Sequence, residues 1–145
     1  MAAIRFQVHD IPAVLYGESS DRVWLFVHGK CGYKEEAEAF AEGTCSRGAQ
    51  VPDIGLPEHG ERKTVAGFDP WHVVPGLREV MAVLRQRWAY VSLRANSIGG
   101  VVFHAGLSGY PTGVGVVSFA GTGYRAPGNG IAVYGSKWRL LRKRR

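Results

Sequence analysis

Residues 23–32 read VWLFVHGKCG, and this stretch decides the fold class. Val23 to Val27 form an unbroken apolar run, mostly β-branched or aromatic. A strand with one wet face would alternate with polar residues, so this run predicts a strand covered on both faces. His28-Gly29-Lys30-Cys31-Gly32 follows as a glycine-bearing loop. A doubly covered strand followed by a loop and then helical sequence points to an α/β domain with a mostly parallel sheet.

Upstream, residues 4–8 (IRFQV) and 12–16 (PAVLY) are short β-rich runs joined by His9-Asp10-Ile11. They predict an antiparallel hairpin at the N-terminal edge of the sheet. Downstream, residues 33–46 (YKEEAEAFAEGTCS) favour a helix, since Glu and Ala are good helix formers and early acids suit the positive end of the helix dipole. Residues 49–54 predict a further strand, weakened by Pro52. Residues 55–70 are rich in loop formers. In residues 71–87, Val74, Leu77, Val80, Met81 and Leu84 share a helical face, with the regular helix starting near Pro75. Residues 89–95 are the next strand. Hairpin, strand, helix, strand, helix, strand implies right-handed crossovers with helices on both faces of the sheet.

The composition divides the chain. It has 145 residues and a net charge of +6. Residues 1–97 hold 11 Lys and Arg against 12 Asp and Glu, whereas residues 98–145 hold 7 basic residues and no acid. Eleven of the 20 glycines also lie after residue 97. Residues 1–108 therefore read as a domain, and residues 109–145 as an irregular, basic, glycine-rich tail. No apolar run reaches the roughly 20 residues that span a bilayer. The N-terminus lacks a charged-then-apolar leader, and Cys31 and Cys45 are too few for a disulfide framework. A cytoplasmic protein with free thiols is expected, without a membrane partner.

Three short motifs carry chemistry. Ala95-Asn96-Ser97-Ile98-Gly99 differs from G-x-S-x-G only in its first small residue, and it follows a predicted strand. Such an elbow presents a serine hydroxyl at the C-terminal edge of a sheet. A serine capping a helix after a strand is the plainer reading of the pentapeptide alone. His28-Gly29 ends the apolar strand where a loop amide could face an oxyanion, and a simple glycine turn is the alternative there. Leu56-Pro57-Glu58-His59-Gly60-Glu61-Arg62 is a P-x-H-G loop after the following strand. His59 and His72 are candidate ligands or bases, with a place on a loop or helix surface the plainer expectation. Cys31 as a nucleophile would duplicate the place of Ser97. No C-x-x-C or H-x-x-x-H spacing supports zinc, and no cofactor or metal is expected.

In this order and spacing, VWLFVHGKCGYKEEAEAFAE, LPEHGER, FDPWHVVP and ANSIGG resemble the N-terminal half of a bacterial α/β-hydrolase, esterase- or serine-peptidase-like, over residues 12–100. Gly55 departs from the pattern, which usually places an acid at the end of that strand. The resemblance implies a partial α/β-hydrolase fold and hydrolysis of a carboxylic ester or similar acyl bond in a small molecule. It implies Ser97 as nucleophile, with the amides of Lys30 or Cys31 and of Ile98 as oxyanion donors. His28, Gly29 and Gly99 support the motifs.

The family's triad continues from serine to an acid and then a histidine. After Ser97 there is no Asp or Glu, and the one later histidine, His104, is only seven residues on. The chain is therefore expected to be catalytically incomplete. A frameshift near Gly100 accounts for the tail: read one nucleotide later, degenerate codons for VFHAGLS at 102–108 permit YFMLAFQ, an apolar helix. Two other classes stay open. One is a non-catalytic binding domain on a hydrolase-like half-sheet. The other is a nucleic-acid binder through the terminal KWRLLRKRR, although a lone basic end usually reads as a solvated tail.

Overall fold

The computed structural model describes residues 1–29, 32–64, 67–96 and the strand 115–119. Its strands are β1 (Ala3–Val8), β2 (Ile11–Tyr16), β3 (Arg22–Val27), β4 (Val51–Ile54), β5 (Tyr90–Asn96) and β6 (Gly115–Phe119). Its helices are α1 (Glu38–Cys45) and α2 (Val73–Arg87), with 3-10 turns at Gly60–Arg62 and Pro70–His72. All six strands form one sheet in the order β1-β2-β4-β3-β5-β6. The β1–β2 and β2–β4 pairs are antiparallel, and β4, β3, β5 and β6 run parallel.

The hairpin turns on His9 and Asp10 alone, because Val8 already pairs with Ile11. His9 takes the left-handed backbone conformation at φ 53°. Ile11, expected in the turn, is therefore the first residue of β2, and its side chain is buried.

Strand β3 has β4 on one side and β5 on the other. The chain crosses from β3 to β4 in one direction and from β4 to β5 in the other. Right-handed crossovers then place the two connecting helices on opposite faces. Buried side chains follow suit. Val23, Leu25 and Val27 of β3 join Leu93 and Ala95 of β5 and Val73, Leu77, Val80, Met81 and Leu84 of α2 in one core cluster. Phe26 of β3 joins Val14, Tyr16, Val51, Ala37 and Ala41 in the other, under α1. The apolar run at 23–27 is thus covered on both sides.

Tertiary contacts move several boundaries. Helix α1 begins at Glu38, not near Tyr33, because residues 34–37 form turns. The residue before it, Ala37, offers no side-chain cap; its backbone N–H donates instead to Asp53 Oδ2 of β4 at 3.1 Å. In α2, Val73 is fully buried and Val74 only partly, and Pro75 sits in the first turn, where its missing N–H breaks no helical bond. Strand β4 starts at Val51 rather than Ala49, with Gln50 bridging to Val23. Within the tail that reads as irregular, Gly115–Phe119 is a strand pairing in parallel with β5 from Ser92–Gly115 to Asn96–Phe119. Glycine hides its period, but Val116, Val117 and Phe119 suit a sheet that β5 already templates. Among the described residues, no helix is long and apolar enough to cross a membrane.

Asp53 is fully buried between Val14 of β2 and Phe26 of β3. Burial pushes its carboxyl well above the usual carboxylate range, and its Oδ1 has no hydrogen-bond partner among the described residues. Tyr16, two places along the neighbouring strand, is pushed up to about 12 by burial, with the Asp53 charge adding to the rise. The unfolded chain loses the Asp53 proton first as pH rises, so this residue lowers stability progressively above the ordinary carboxylate range. Asp53→Asn keeps an acceptor for the Ala37 N–H and removes the titration. Its stability relative to wild type, read from urea midpoints, is expected to grow as pH rises from mildly acidic to alkaline.

Candidate active site

The loops that leave β3, β4 and β5 all emerge at the C-terminal edge of the parallel strands. The chain leaves β3 toward β4 and passes from β5 to β6 on the opposite side. The crevice between the ends of β3 and β5 is therefore a topological switch point, where open α/β sheets bind ligands. Val27 pairs with Ala95 across it. On the β3 side stand His28 and Gly29. On the β5 side Asn96 is the last strand residue, and Ser97 is next in sequence. Lys30, Cys31, Ser97, Ile98, Gly99 and His104 lie outside the described residues.

His28 is fully buried, and both ring nitrogens are engaged. Nε2 accepts from the Leu56 N–H at 3.3 Å, which leaves Nδ1 to donate to the Gly29 carbonyl at 2.9 Å. Burial pushes the imidazole down to about 4; the Gly29 bond opposes this and the neighbouring His59 adds to it. His28 is thus a neutral residue that ties the loop after β3 to the loop after β4. Its basic nitrogen is occupied, so it has no lone pair to offer a serine hydroxyl.

His59 corrects the sequence expectation of a surface residue. It is buried, with its ring 5.2 Å from that of His28 and edge-on to Phe68 at 4.7 Å. Its Nδ1 lies 2.8 Å from the Pro57 carbonyl. The loop that carries it closes on itself. His59 N donates to Leu56 O, Arg62 N to His59 O, and Arg62 Nη1 to Gly55 O. Glu58, at φ 59°, accepts from the amide of Thr64. His72, by contrast, is exposed at the start of α2.

The residues that sequence reasoning missed sit beside these histidines. The Lys34 side chain is only 8% exposed, and its ammonium binds Glu61 Oε1 at 2.5 Å and Glu35 Oε1 at 2.9 Å. Burial opposes its charge, but the two carboxylates outweigh that and leave its pKa raised. Arg5 of β1 reaches both carboxylates, at 3.1 Å to Glu35 and 3.5 Å to Glu61. With Pro12, Tyr33, Gly55 and Gly60 these residues line a cleft of about 330 Å³ that includes both histidines. Its fixed charges are paired, so the cleft favours a neutral, polar or dipolar guest over a bare ion.

Two glycines shape the edge. Gly55 N donates to Pro12 O at 2.8 Å, and a Cβ on Gly55 would meet Pro12 Cγ at 3.0 Å. The close approach of β2 thus leaves little room for a side chain at Gly55. A Cβ on Gly32 would overlap Glu36 Oε2 and come within 2.9 Å of His28 Nδ1 and 3.0 Å of Gly29 O.

No protein-family model matches the chain, and no curated protein sequence does. Solved structures do. A thioesterase domain from the curacin biosynthetic pathway is 17% identical, with a TM-score of 0.66 over 82% of this chain. A Vigna radiata epoxide hydrolase variant is 20% identical, with a TM-score of 0.62 over 82%. An esterase from Exiguobacterium antarcticum is 16% identical, with a TM-score of 0.62 over 77%. This chain has the α/β-hydrolase fold. It spans 46%, 38% and 42% of the lengths of those three proteins. Within that fold the described edge corresponds to the side where the strands end and the loops meet.

Gly32→Ala is expected to destabilise the domain by about 1–3 kcal/mol, the usual cost of forcing an atom into packed space. Glu36→Ala in the same chain should recover only part of that loss, because the Gly29 carbonyl and the His28 ring stay in place. Urea midpoints of the single and double variants measure both effects.

Proposed function

We propose that the chain carries the nucleophile-bearing half of a serine hydrolase acting on a carboxylic ester or similar acyl bond. The observation that supports this most is the switch point at the ends of β3 and β5. There the in-register pair Val27–Ala95 leads directly to His28-Gly29 on one strand and to Asn96-Ser97 on the other. An acyl-transfer site needs a nucleophile and two amide donors converging on one carbonyl. In this reading the Ser97 hydroxyl attacks the carbonyl carbon. The amides of Lys30 or Cys31 and of Ile98 take the charge that develops on the carbonyl oxygen. Gly29 and Gly99 supply the small flanks that a sharp strand-to-loop turn requires.

The proton on Ser97 needs an acceptor that later returns it to the leaving group. His28 does not serve, since its Nε2 is bonded to Leu56 N. No acid follows Ser97, and His104 is too near it in sequence to swing back over the elbow. This chain is therefore read as catalytically incomplete, a truncated hydrolase domain over residues 1–108 whose reading frame is lost near Gly100, ahead of the glycine-rich basic tail at 109–145. The composition break after residue 97 supports that reading.

The experiment has two arms. The chain as given is expected to hydrolyse p-nitrophenyl acetate no faster than its Ser97→Ala variant. A chain whose codons after Gly100 are read one nucleotide later, as the gene's nucleotide sequence specifies, is expected to turn it over. Ser97→Ala should then lower kcat by about 10⁴-fold or more, the scale of a lost nucleophile. Ser97-dependent turnover by the chain as given would overturn the reading of incompleteness. A frame-restored chain whose activity ignores Ser97 would overturn the nucleophile.

A further inference from the structure

We infer that His28 and the Leu56 amide form an acid-released clasp between the loop after β3 and the loop after β4. The geometry carries this. Leu56 is fully buried, and the acceptor of its N–H is the unprotonated Nε2 of a fully buried imidazole. The other nitrogen, Nδ1, is committed to the Gly29 carbonyl. A proton arriving on the ring can go only to Nε2, where it would face the Leu56 N–H, donor against donor. The bond is then lost and a buried amide is left without an acceptor, which is costly. Separation of the two loops at this point lets water reach both groups.

Glu36 brings a negative charge to the Nδ1 side of His28, the nitrogen that already carries the proton; the other neighbours do not favour a charged ring. From the loop after β4, His59 stands ring to ring at 5.2 Å and adds to the lowering of the His28 pKa. Glu61 of that loop and Glu35 of the loop after β3 are already held by Lys34 and Arg5. Tyr33 lines the same cleft, and Glu36 lies on the His28 side of Gly32: a Cβ on that glycine would meet both Glu36 Oε2 and, at 2.9 Å, His28 Nδ1. Beneath lie Asp53 of β4, whose burial favours its neutral form, and Arg94 of β5, stacked on Phe26 and Phe40 at 5.3 Å and 4.4 Å. With burial holding the imidazole down to about 4, the clasp is closed at neutral pH.

The second tie between the loops behaves differently. Lys34 is held above its ordinary pKa after its partners outweigh burial, and Glu61 is held below its own by Lys34. That ion pair is therefore retained to lower pH than an ordinary carboxylate would allow. Opening is therefore local, at Leu56, with the Lys34–Glu61 tie as its hinge. The inference rests on these contacts and not on the acyl-hydrolysis reading. Its test reads amide exchange rather than turnover, so either can fail without the other.

The test is hydrogen exchange by NMR on the full chain, corrected for the intrinsic pH dependence of exchange. Between about pH 6 and about pH 4, protection of the Leu56 amide is expected to fall at least tenfold, while that of Leu25 in the middle of β3 holds. His28→Gln keeps an acceptor but does not titrate, so its Leu56 protection should not change with pH. Parallel loss at Leu56 and Leu25 would overturn the clasp, since that is global unfolding. So would a Leu56 protection in wild type that ignores pH, or one in His28→Gln that still follows it. Should His28→Gln fail to fold, ring nitrogen shifts of wild type decide: a protonated Nε2 at neutral pH overturns the assignment, and a bare Nε2 that takes its proton as Leu56 opens supports it.

Discussion

Covering β3 on both faces is the constraint from which the rest of this structure follows. Its side chains alternate between two cores, Leu25 and Val27 toward α2 and Phe26 toward α1. A single helix cannot cover both faces, so the chain must leave β3 in one direction and come back past it in the other. Right-handed crossovers then fix which helix lies on which face. The same reversal makes the crevice at the end of β3, so the requirement for burial and the location of the candidate site have one origin.

The buried polar groups mark where this frame is fastened. Asp53 joins the start of α1 to β4, and His28 joins the loops after β3 and β4. Each is stable in its neutral form because burial disfavours its charge. They respond to pH in opposite senses. Asp53 weakens the fold as pH rises, and His28 weakens its own contact as pH falls. Arg94 lays its guanidinium over the rings of Phe26 and Phe40, and Lys34 holds its ammonium against two carboxylates, so each buried positive charge has direct partners.

Part of the candidate site was legible in the sequence because it consists of short, local signals. His28-Gly29 at the end of an apolar run is read from neighbours in the chain, whereas Ser97 and the residues after it lie outside those described. Lys34, Glu61, Glu35 and Arg5 gave no such signal. In sequence they are ordinary surface charges on separate segments, and only the meeting of β1 with the two loops brings them together. The burial of His59 was hidden for the same reason: a histidine in a glycine-bearing loop looks exposed until Phe68 and His28 are found against it.

The sequence by itself determined the kinds of element and their order, since apolar periodicity is a property of consecutive residues. The run at 23–27, the helical face from Leu77 to Leu84 and the N-terminal hairpin are all of this kind. Tertiary structure decided the rest. Helix α1 starts where Asp53, from another strand, accepts the Ala37 N–H, and β6 forms because β5 offers an edge to pair with. The tautomer of His28 is set by the Leu56 amide, 28 residues away. Such contacts depend on which segments the fold brings face to face, and no local pattern encodes that.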